Sequence, residues 1–77
     1  MRELLEYLVR SLVEHPDAVA VDSFEEDDGT LVLELHVSSD DVGKVIGRGG
    51  RTINALRVVV RACSVKRGGR VLIDVVD

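Results

Sequence analysis

The fold of this 77-residue chain is decided by one stretch, Val42-Gly43-Lys44-Val45-Ile46-Gly47-Arg48-Gly49-Gly50-Arg51-Thr52-Ile53. The four polar residues before it, Ser38-Ser39-Asp40-Asp41, offer N-cap oxygens, which predicts a short helix over residues 40–46. Glycine then recurs, and glycine permits steep backbone turns and the close approach of another chain. A longer helix is predicted over residues 51–65. The stretch is therefore predicted to be a helix, a glycine loop and a second helix.

The segments around this stretch predict a small α+β domain. An apolar stripe at helical spacing indicates a first helix, which Pro16 ends because proline disfavours helical geometry in the residue before it. Two strands follow, and the turn signal Asp27-Asp28-Gly29-Thr30 between them predicts an antiparallel hairpin. The order α-β-β-α-α-β places the helices on one face of a three-stranded sheet. The predicted bounds are residues 2–14 for the first helix, and 18–25, 31–37 and 71–76 for the strands.

Charge is distributed unevenly along the chain. Residues 1–42 contain twelve acidic side chains and two basic ones, whereas residues 43–70 contain eight basic side chains and no acidic one. Such a block of positive charge is typical of a surface that meets an anionic partner. On charge alone the alternative is left open, namely a solvated basic face that the acidic half balances.

Composition excludes several classes of protein. A single cysteine allows neither an internal disulfide nor a multi-cysteine zinc site, and it suits a reducing cytosol. No apolar run approaches the roughly 18 residues that span a bilayer, and the first residues lack the apolar core of a signal peptide. His15 and His36 have no second ligand near them in the sequence pattern, so no metal site is predicted. Cys63 lies on the apolar stripe of the second long helix and is predicted to be a core residue.

The glycine loop has the chemistry of a phosphate site. A helix N-terminus follows it with free N–H groups and a partial positive charge, and Arg48 and Arg51 add full charges. A P-loop is excluded because its Gly-Lys pair would fall on Arg48 and Gly49. A dinucleotide fingerprint is excluded because Thr52 stands where it needs glycine. No nucleophile paired with a base accompanies the loop, so no enzyme activity is predicted.

A nine-residue segment, Val45-Ile46-Gly47-Arg48-Gly49-Gly50-Arg51-Thr52-Ile53, resembles the V-I-G-x-x-G-x-x-I signature of KH domains. The preceding Gly43-Lys44 and the following Asn54-Ala55-Leu56-Arg57 are also similar to that family. The order of elements resembles the bacterial type II arrangement, which has a mixed sheet. The chain length, the LLEYLV start and the GGRVLIDVVD finish resemble the small single-KH bacterial RNA-binding proteins of the KhpA family. We therefore expect a single KH domain over residues 1–77.

This resemblance implies a single-stranded RNA-binding protein that acts as an RNA chaperone or post-transcriptional regulator. Its loop would clamp the sugar-phosphate backbone of about four nucleotides. A groove for the bases would be formed by apolar residues of the motif with part of the second strand. Glycine at position 49 departs slightly from the family, because it removes a second loop side chain. The implied RNA-binding residues are Lys44, Val45, Ile46, Gly47, Arg48, Gly49, Gly50, Arg51 and Ile53.

The expected partners follow from the same resemblance. It implies a homodimer and a larger KH-containing partner of the Jag type, and we expect a cytoplasmic protein without a cofactor. Only Tyr7 and Phe24 are aromatic, which disfavours an RRM or an OB-fold, because those modules stack bases on aromatic side chains. The alternative is a protein–protein adaptor that uses the KH fold for dimerisation or partner binding. RNA contact is left open for further cations, namely Arg57, Arg61, Lys66, Arg67 and Arg70.

Overall fold

The computed structural model describes residues 1–64 and 70–76. It confirms the α+β class and the predicted order of elements. The helices are α1 (Arg2–Arg10), α2 (Val42–Ile46) and α3 (Arg51–Ser64), and the strands are β1 (Ala20–Glu25), β2 (Leu31–His36) and β3 (Val71–Val76). Short 3₁₀ turns lie within the described connections at Pro16–Ala18, Ser39–Asp41 and Arg48–Gly50.

The sheet is mixed, and β2 lies between β1 and β3. β1 runs antiparallel to β2, with Ala20 opposite His36. β3 runs parallel to β2, with Leu31 opposite Val71. A parallel pair needs a crossover connection, and the segment from α2 through α3 provides it. The start of β2 therefore lies beside the start of β3, at the end of the sheet where the hairpin turn also lies.

The turn between β1 and β2 confirms the predicted hairpin. Gly29 takes the positive φ that the Asp-Gly pair indicated, at 88°. The N–H of Glu26 donates to the carbonyl of Thr30 at 2.8 Å, and the Asp28 carboxylate accepts from the N–H of Thr30 at 2.9 Å. This hydrogen bond from Thr30 lowers the pKa of the Asp28 carboxyl below its ordinary value. The turn is thus closed by both backbone and side chain.

The core lies between the sheet and one layer formed by α1 and α3. Alternate residues of each strand point into it, because successive strand side chains project to opposite faces. Each long helix contributes the apolar stripe that its sequence predicted. In the described residues, no helix is long and apolar enough to cross a membrane. The buried core residues include Leu5, Val9, Val21, Leu33, Leu35, Ile53, Leu56, Val60 and Ile73.

α1 ends at Arg10, four residues before the predicted end, and the prediction of residues 2–14 was too long. The carboxylate of Asp41 explains why the helix does not reach residue 14. It accepts the N–H of Glu14 at 3.1 Å and the N–H of His15 at 3.0 Å, so these two donors bind across the fold instead of within a helix. A 3₁₀ turn at Pro16–Ala18 then delays the first strand to Ala20.

The prediction that Cys63 lies in the core was wrong, because its side chain is exposed. The buried positions of α3 advance in steps of three and four through Leu56 and Val60 to Ser64, which leaves Cys63 at the solvent edge of the stripe. The hydroxyl of Ser64 is satisfied inside the protein, because it donates to the carbonyl of Arg61 at 2.9 Å. The predicted helix end at residue 65 and the predicted turn at Gly68-Gly69 lie outside the described residues.

Candidate nucleic-acid interface

The segment Gly47-Arg48-Gly49-Gly50, hereafter the GxxG loop, joins α2 to α3 by left-handed backbone conformations. Gly47 has φ 76° and ψ 170°, Gly49 has φ 64° and ψ 19°, and Gly50 has φ 81°. Residues with a Cβ rarely adopt a positive φ for steric reasons. Three such values in four residues turn the chain so sharply that α3 begins directly after the loop. The predicted sequence of helix, glycine loop and helix is confirmed.

The glycines of the loop differ in how much space surrounds them. A Cβ built on Gly47 would lie 2.8 Å from the backbone nitrogen of Thr52, closer than real Cβ contacts come. A Cβ on Gly50 would make an ordinary contact of 3.7 Å with Asn54, and one on Gly49 would meet no atom within 4 Å. Packing against Thr52 therefore requires glycine at position 47. Position 49 faces open space, which leaves its backbone accessible to a ligand.

Backbone hydrogen bonds close the end of the GxxG loop. The N–H of Gly50 donates to the carbonyl of Gly47 at 3.1 Å, and the N–H of Arg51 donates to the carbonyl of Arg48. These two hydrogen bonds close the loop onto the start of α3, so the turn is held by the protein's own backbone.

The cations around the loop differ in how far their charge is compensated. Arg48 and Arg51 are exposed, and no carboxylate among the described residues forms an ion pair with either. The ammonium of Lys44, in contrast, lies 3.1 Å from a carboxylate oxygen of Glu14. Both side chains of this pair are largely exposed, so the pair is weak, on the order of 1 kcal/mol or less. The uncompensated positive charge is therefore centred on Arg48 and Arg51.

The cations farther along the chain differ from Arg48 and Arg51 in burial, in partners or in position. Arg57 is half-buried, and its guanidinium donates to the side-chain oxygen of Asn54 at 3.0 Å. Arg61 and Arg70 are exposed. Arg70 precedes β3 at the hairpin end of the sheet, where its carbonyl accepts the N–H of Leu31, whereas the GxxG loop follows the opposite end of β2. Lys66 and Arg67 lie outside the described residues.

The apolar residues of the motif separate into core and surface. Val45 has no exposed surface and Ile53 retains 6%, whereas Ile46 is 38% exposed beside the loop. On the helix side of β2, Leu33 and Leu35 are completely buried, so their side chains offer no surface to a ligand. The apolar surface that the motif presents next to the GxxG loop is therefore the side chain of Ile46.

Asp41 supports this site and was missed by sequence reasoning, which treated it as one of several N-cap oxygens. Its side chain is fully buried at the start of α2, and its two carboxylate oxygens accept the N–H groups of Glu14 and His15. Burial opposes ionisation, but these two hydrogen bonds together with the nearby charges of His15 and Lys44 outweigh it, so the pKa of the Asp41 carboxyl lies below its ordinary value. The helix that leads into the GxxG loop is thereby fixed to the chain that follows α1.

Comparison with known proteins agrees with this geometry. The family model for the KhpA/KhpB KH domain matches residues 2–75. The chain is 50% identical over 78 residues to RNA-binding protein KhpA of Halalkalibacterium halodurans, with all of both chains covered. It is 44% identical over 75 residues to RNA-binding protein KhpA of Borreliella burgdorferi, which covers 97% of this chain and 90% of that one. The expected family is confirmed: this chain belongs to the KhpA/KhpB family of KH-domain proteins.

Proposed function

We propose that this protein binds single-stranded RNA through the GxxG loop and acts as an RNA chaperone or post-transcriptional regulator. The observation that carries the proposal is the open loop at Gly49, flanked by uncompensated Arg48 and Arg51. Two relatives that match over almost the whole chain bear the name RNA-binding protein. In KH domains such a loop clamps the backbone of about four nucleotides.

Each residue of the site has a distinct proposed role. The guanidinium groups of Arg48 and Arg51 contact phosphates, and the accessible backbone at Gly49 allows a phosphate to approach the loop closely. Ile46 contacts a base through its exposed side chain, while Val45 and Ile53 support it from the core. Gly47 and Gly50 shape the turn, and Lys44 contributes a charge that Glu14 partly compensates. These nine residues include every one that the resemblance implied.

We further propose that this protein acts by binding alone, in the cytoplasm, and that two KH domains pair in the functional assembly. The partner is a second copy of this chain or a larger KH-containing protein of the Jag type. Exposed apolar side chains on α1, directly after it and on α3, namely Tyr7, Leu12 and Val58, support a contact with protein. One KH groove contacts few nucleotides, and joining two grooves raises affinity by about 10² or more through effective concentration.

The decisive experiment measures the affinity for a fluorescent single-stranded RNA by anisotropy over a series of salt concentrations. The double variant Arg48→Asp, Gly49→Asp places two carboxylates in the loop at low structural cost, because Gly49 has open space and aspartate tolerates its left-handed φ. If about three phosphates are contacted, log K falls with log salt at a slope of roughly −2 in the wild type. The double variant should lose binding while its circular dichroism spectrum is unchanged.

A charge-matched comparison removes the effect of net charge. Arg48→Asp and Arg2→Asp each change the charge by two units, but Arg2 lies on α1 and is paired with Glu6. We expect Arg48→Asp to weaken binding about tenfold or more and Arg2→Asp to weaken it by about twofold at most. Equal losses in both variants, or binding that both loop variants retain, would contradict the clamp. If a loop variant that no longer binds RNA still performs the protein's role in the cell, the protein–protein adaptor alternative would be favoured.

A further inference from the structure

A second cluster of functional groups lies on the face of the sheet that points away from the helices. Asp22 of β1 is the direct partner of Glu34 on β2, and His36 lies two residues farther along β2 on the same face. One ligand atom from each of these three side chains lies within 4.8 Å of the other two. The sequence predicted no partner for His36, and the strand register supplies two. We name Asp22, Glu34 and His36 the sheet-face triad.

The spacing of the sheet-face triad suits a common metal ion. Nε2 of His36 lies 3.2 Å from Oδ2 of Asp22 and 3.9 Å from Oε1 of Glu34. Ligands about 2.1 Å from a tetrahedral zinc ion are separated from one another by roughly 3.4 Å. The two separations from His36 bracket this value and the carboxylate oxygens lie within 4.8 Å of each other, so side-chain rotations can bring all three atoms to bonding distance. The two strands hold the Cα atoms in place while the side chains adjust.

The ring nitrogen of His36 is the observation that points to a ligand. The His36 side chain is 38% exposed, but Nε2 itself is closed to solvent and has no hydrogen-bond partner among the described residues, although two carboxylates lie within ion-pair distance. A buried polar atom without a partner costs free energy. A metal ion bound to the neutral imidazole satisfies this nitrogen directly, and the adjacent carboxylates complete the donor set.

The charge of this face also favours a cation. Asp74 of β3 is the direct partner of Glu34 in the parallel pair, which places a third carboxylate beside Glu34 on this face. Like charges on neighbouring strands repel, and a divalent ion offsets that repulsion. The other histidine, His15, provides a comparison: its imidazole lies 3.4 Å from the Asp40 carboxylate, and its backbone N–H binds the Asp41 carboxylate. Among the described residues, His15 belongs to no group of three side chains that could hold a metal ion.

We propose that Asp22, Glu34 and His36 bind one divalent transition-metal ion, with Zn²⁺ as the probe. An imidazole nitrogen favours a transition metal over Mg²⁺ or Ca²⁺, which prefer oxygen ligands alone. Three protein ligands leave the fourth position of Zn²⁺ to water. The ion joins β1 to β2 on the face opposite the helices, and its binding is independent of the RNA-binding loop.

The test is an isothermal titration of the full, tag-free chain with Zn²⁺, made in a Cys63→Ser background. This background is needed because the exposed Cys63 thiol is itself a zinc ligand. We expect one ion per chain and a higher melting temperature with Zn²⁺. His36→Ala should weaken binding about tenfold or more, and the matched variant His15→Ala should leave it unchanged.

Asp22→Asn provides a second test of the site in case the His36→Ala variant does not fold. This side chain is 71% exposed and the change preserves its shape, so the fold is retained while one ligand is lost. Its zinc affinity should also fall about tenfold. The proposal is overturned if the parent chain shows no saturable binding, if His36→Ala and Asp22→Asn bind as the parent does, or if His15→Ala abolishes binding.

Discussion

The GxxG loop and the outer face of the sheet are opposite in charge and in construction. At the loop, the backbone creates the site: glycine conformations open it, and Arg48 and Arg51 surround it with positive charge. On the sheet, regular backbone positions the side chains of Asp22, Glu34 and Asp74 in a row across all three strands. A chain with a net charge of −4 can therefore present a cationic surface, because its two signs lie on different faces.

This contrast has a consequence for mutational sensitivity. A site made by backbone conformation fails when a side chain is added, whereas a site made by side chains fails when one is removed. A side chain is added, removed or altered in each of the four predictions below, and three of them are paired with a control variant from the same region.

The largest effect is expected for Gly47→Ala. The added Cβ would meet the backbone nitrogen of Thr52 at 2.8 Å, in a φ/ψ region that almost only glycine occupies. We expect a loss of about 3 kcal/mol in the free energy of unfolding, measured in urea, together with loss of RNA binding. Gly49→Asn, where no atom lies within 4 Å, should cost about 1 kcal/mol or less. Equal costs at the two glycines would contradict the packing role of Gly47.

Asp41→Asn should have the next largest effect, because it removes a buried charge that accepts two backbone N–H groups. We expect the melting temperature to fall on the order of 10 °C at neutral pH. Asp40→Asn, whose side chain is 79% exposed, should change it by about 2 °C or less.

The same residue predicts a dependence on pH. The pKa of Asp41 is lowered in the folded state, so its stabilising contribution is present above the ordinary value of 3.8 and is lost as pH falls through the lower folded value. Asp41→Asn should remove this part of the acid-side loss of stability, as measured by thermal unfolding between neutral pH and the acid limit. An acid profile identical to that of the wild type would contradict the ionised, hydrogen-bonded carboxylate.

The smallest effect is expected on RNA affinity, when the loss of an unpaired cation at the loop is compared with the loss of a paired one. Arg51→Ala should weaken RNA binding about fivefold and reduce the salt slope by about 0.7, the value of one phosphate contact on a single strand. Lys44→Ala should weaken binding by about twofold, because Glu14 already compensates part of its charge. Anisotropy titrations at several salt concentrations measure both quantities. A larger loss for Lys44→Ala than for Arg51→Ala would reverse the proposed ranking.

Much of the fold and of the loop was predictable because the patterns are local. The Asp-Gly turn and the glycine loop require backbone conformations that few other residues adopt, so short sequences indicate them. The long helices likewise follow from apolar stripes. The end of α1 was not predictable, because Asp41 lies 27 residues from Glu14, whose N–H it binds.

By itself, the sequence determined the order of the elements, the hairpin, the helix–loop–helix motif and the separation of positive from negative charge. Only the tertiary structure decided that Ile46 is exposed while Val45 is buried, that Cys63 faces solvent, and that Lys44 pairs with Glu14. It also brought His36 beside Asp22 and Glu34. The physical reason is that turns and periodicity depend on neighbouring residues, whereas exposure and side-chain pairing depend on packing and strand register between distant ones.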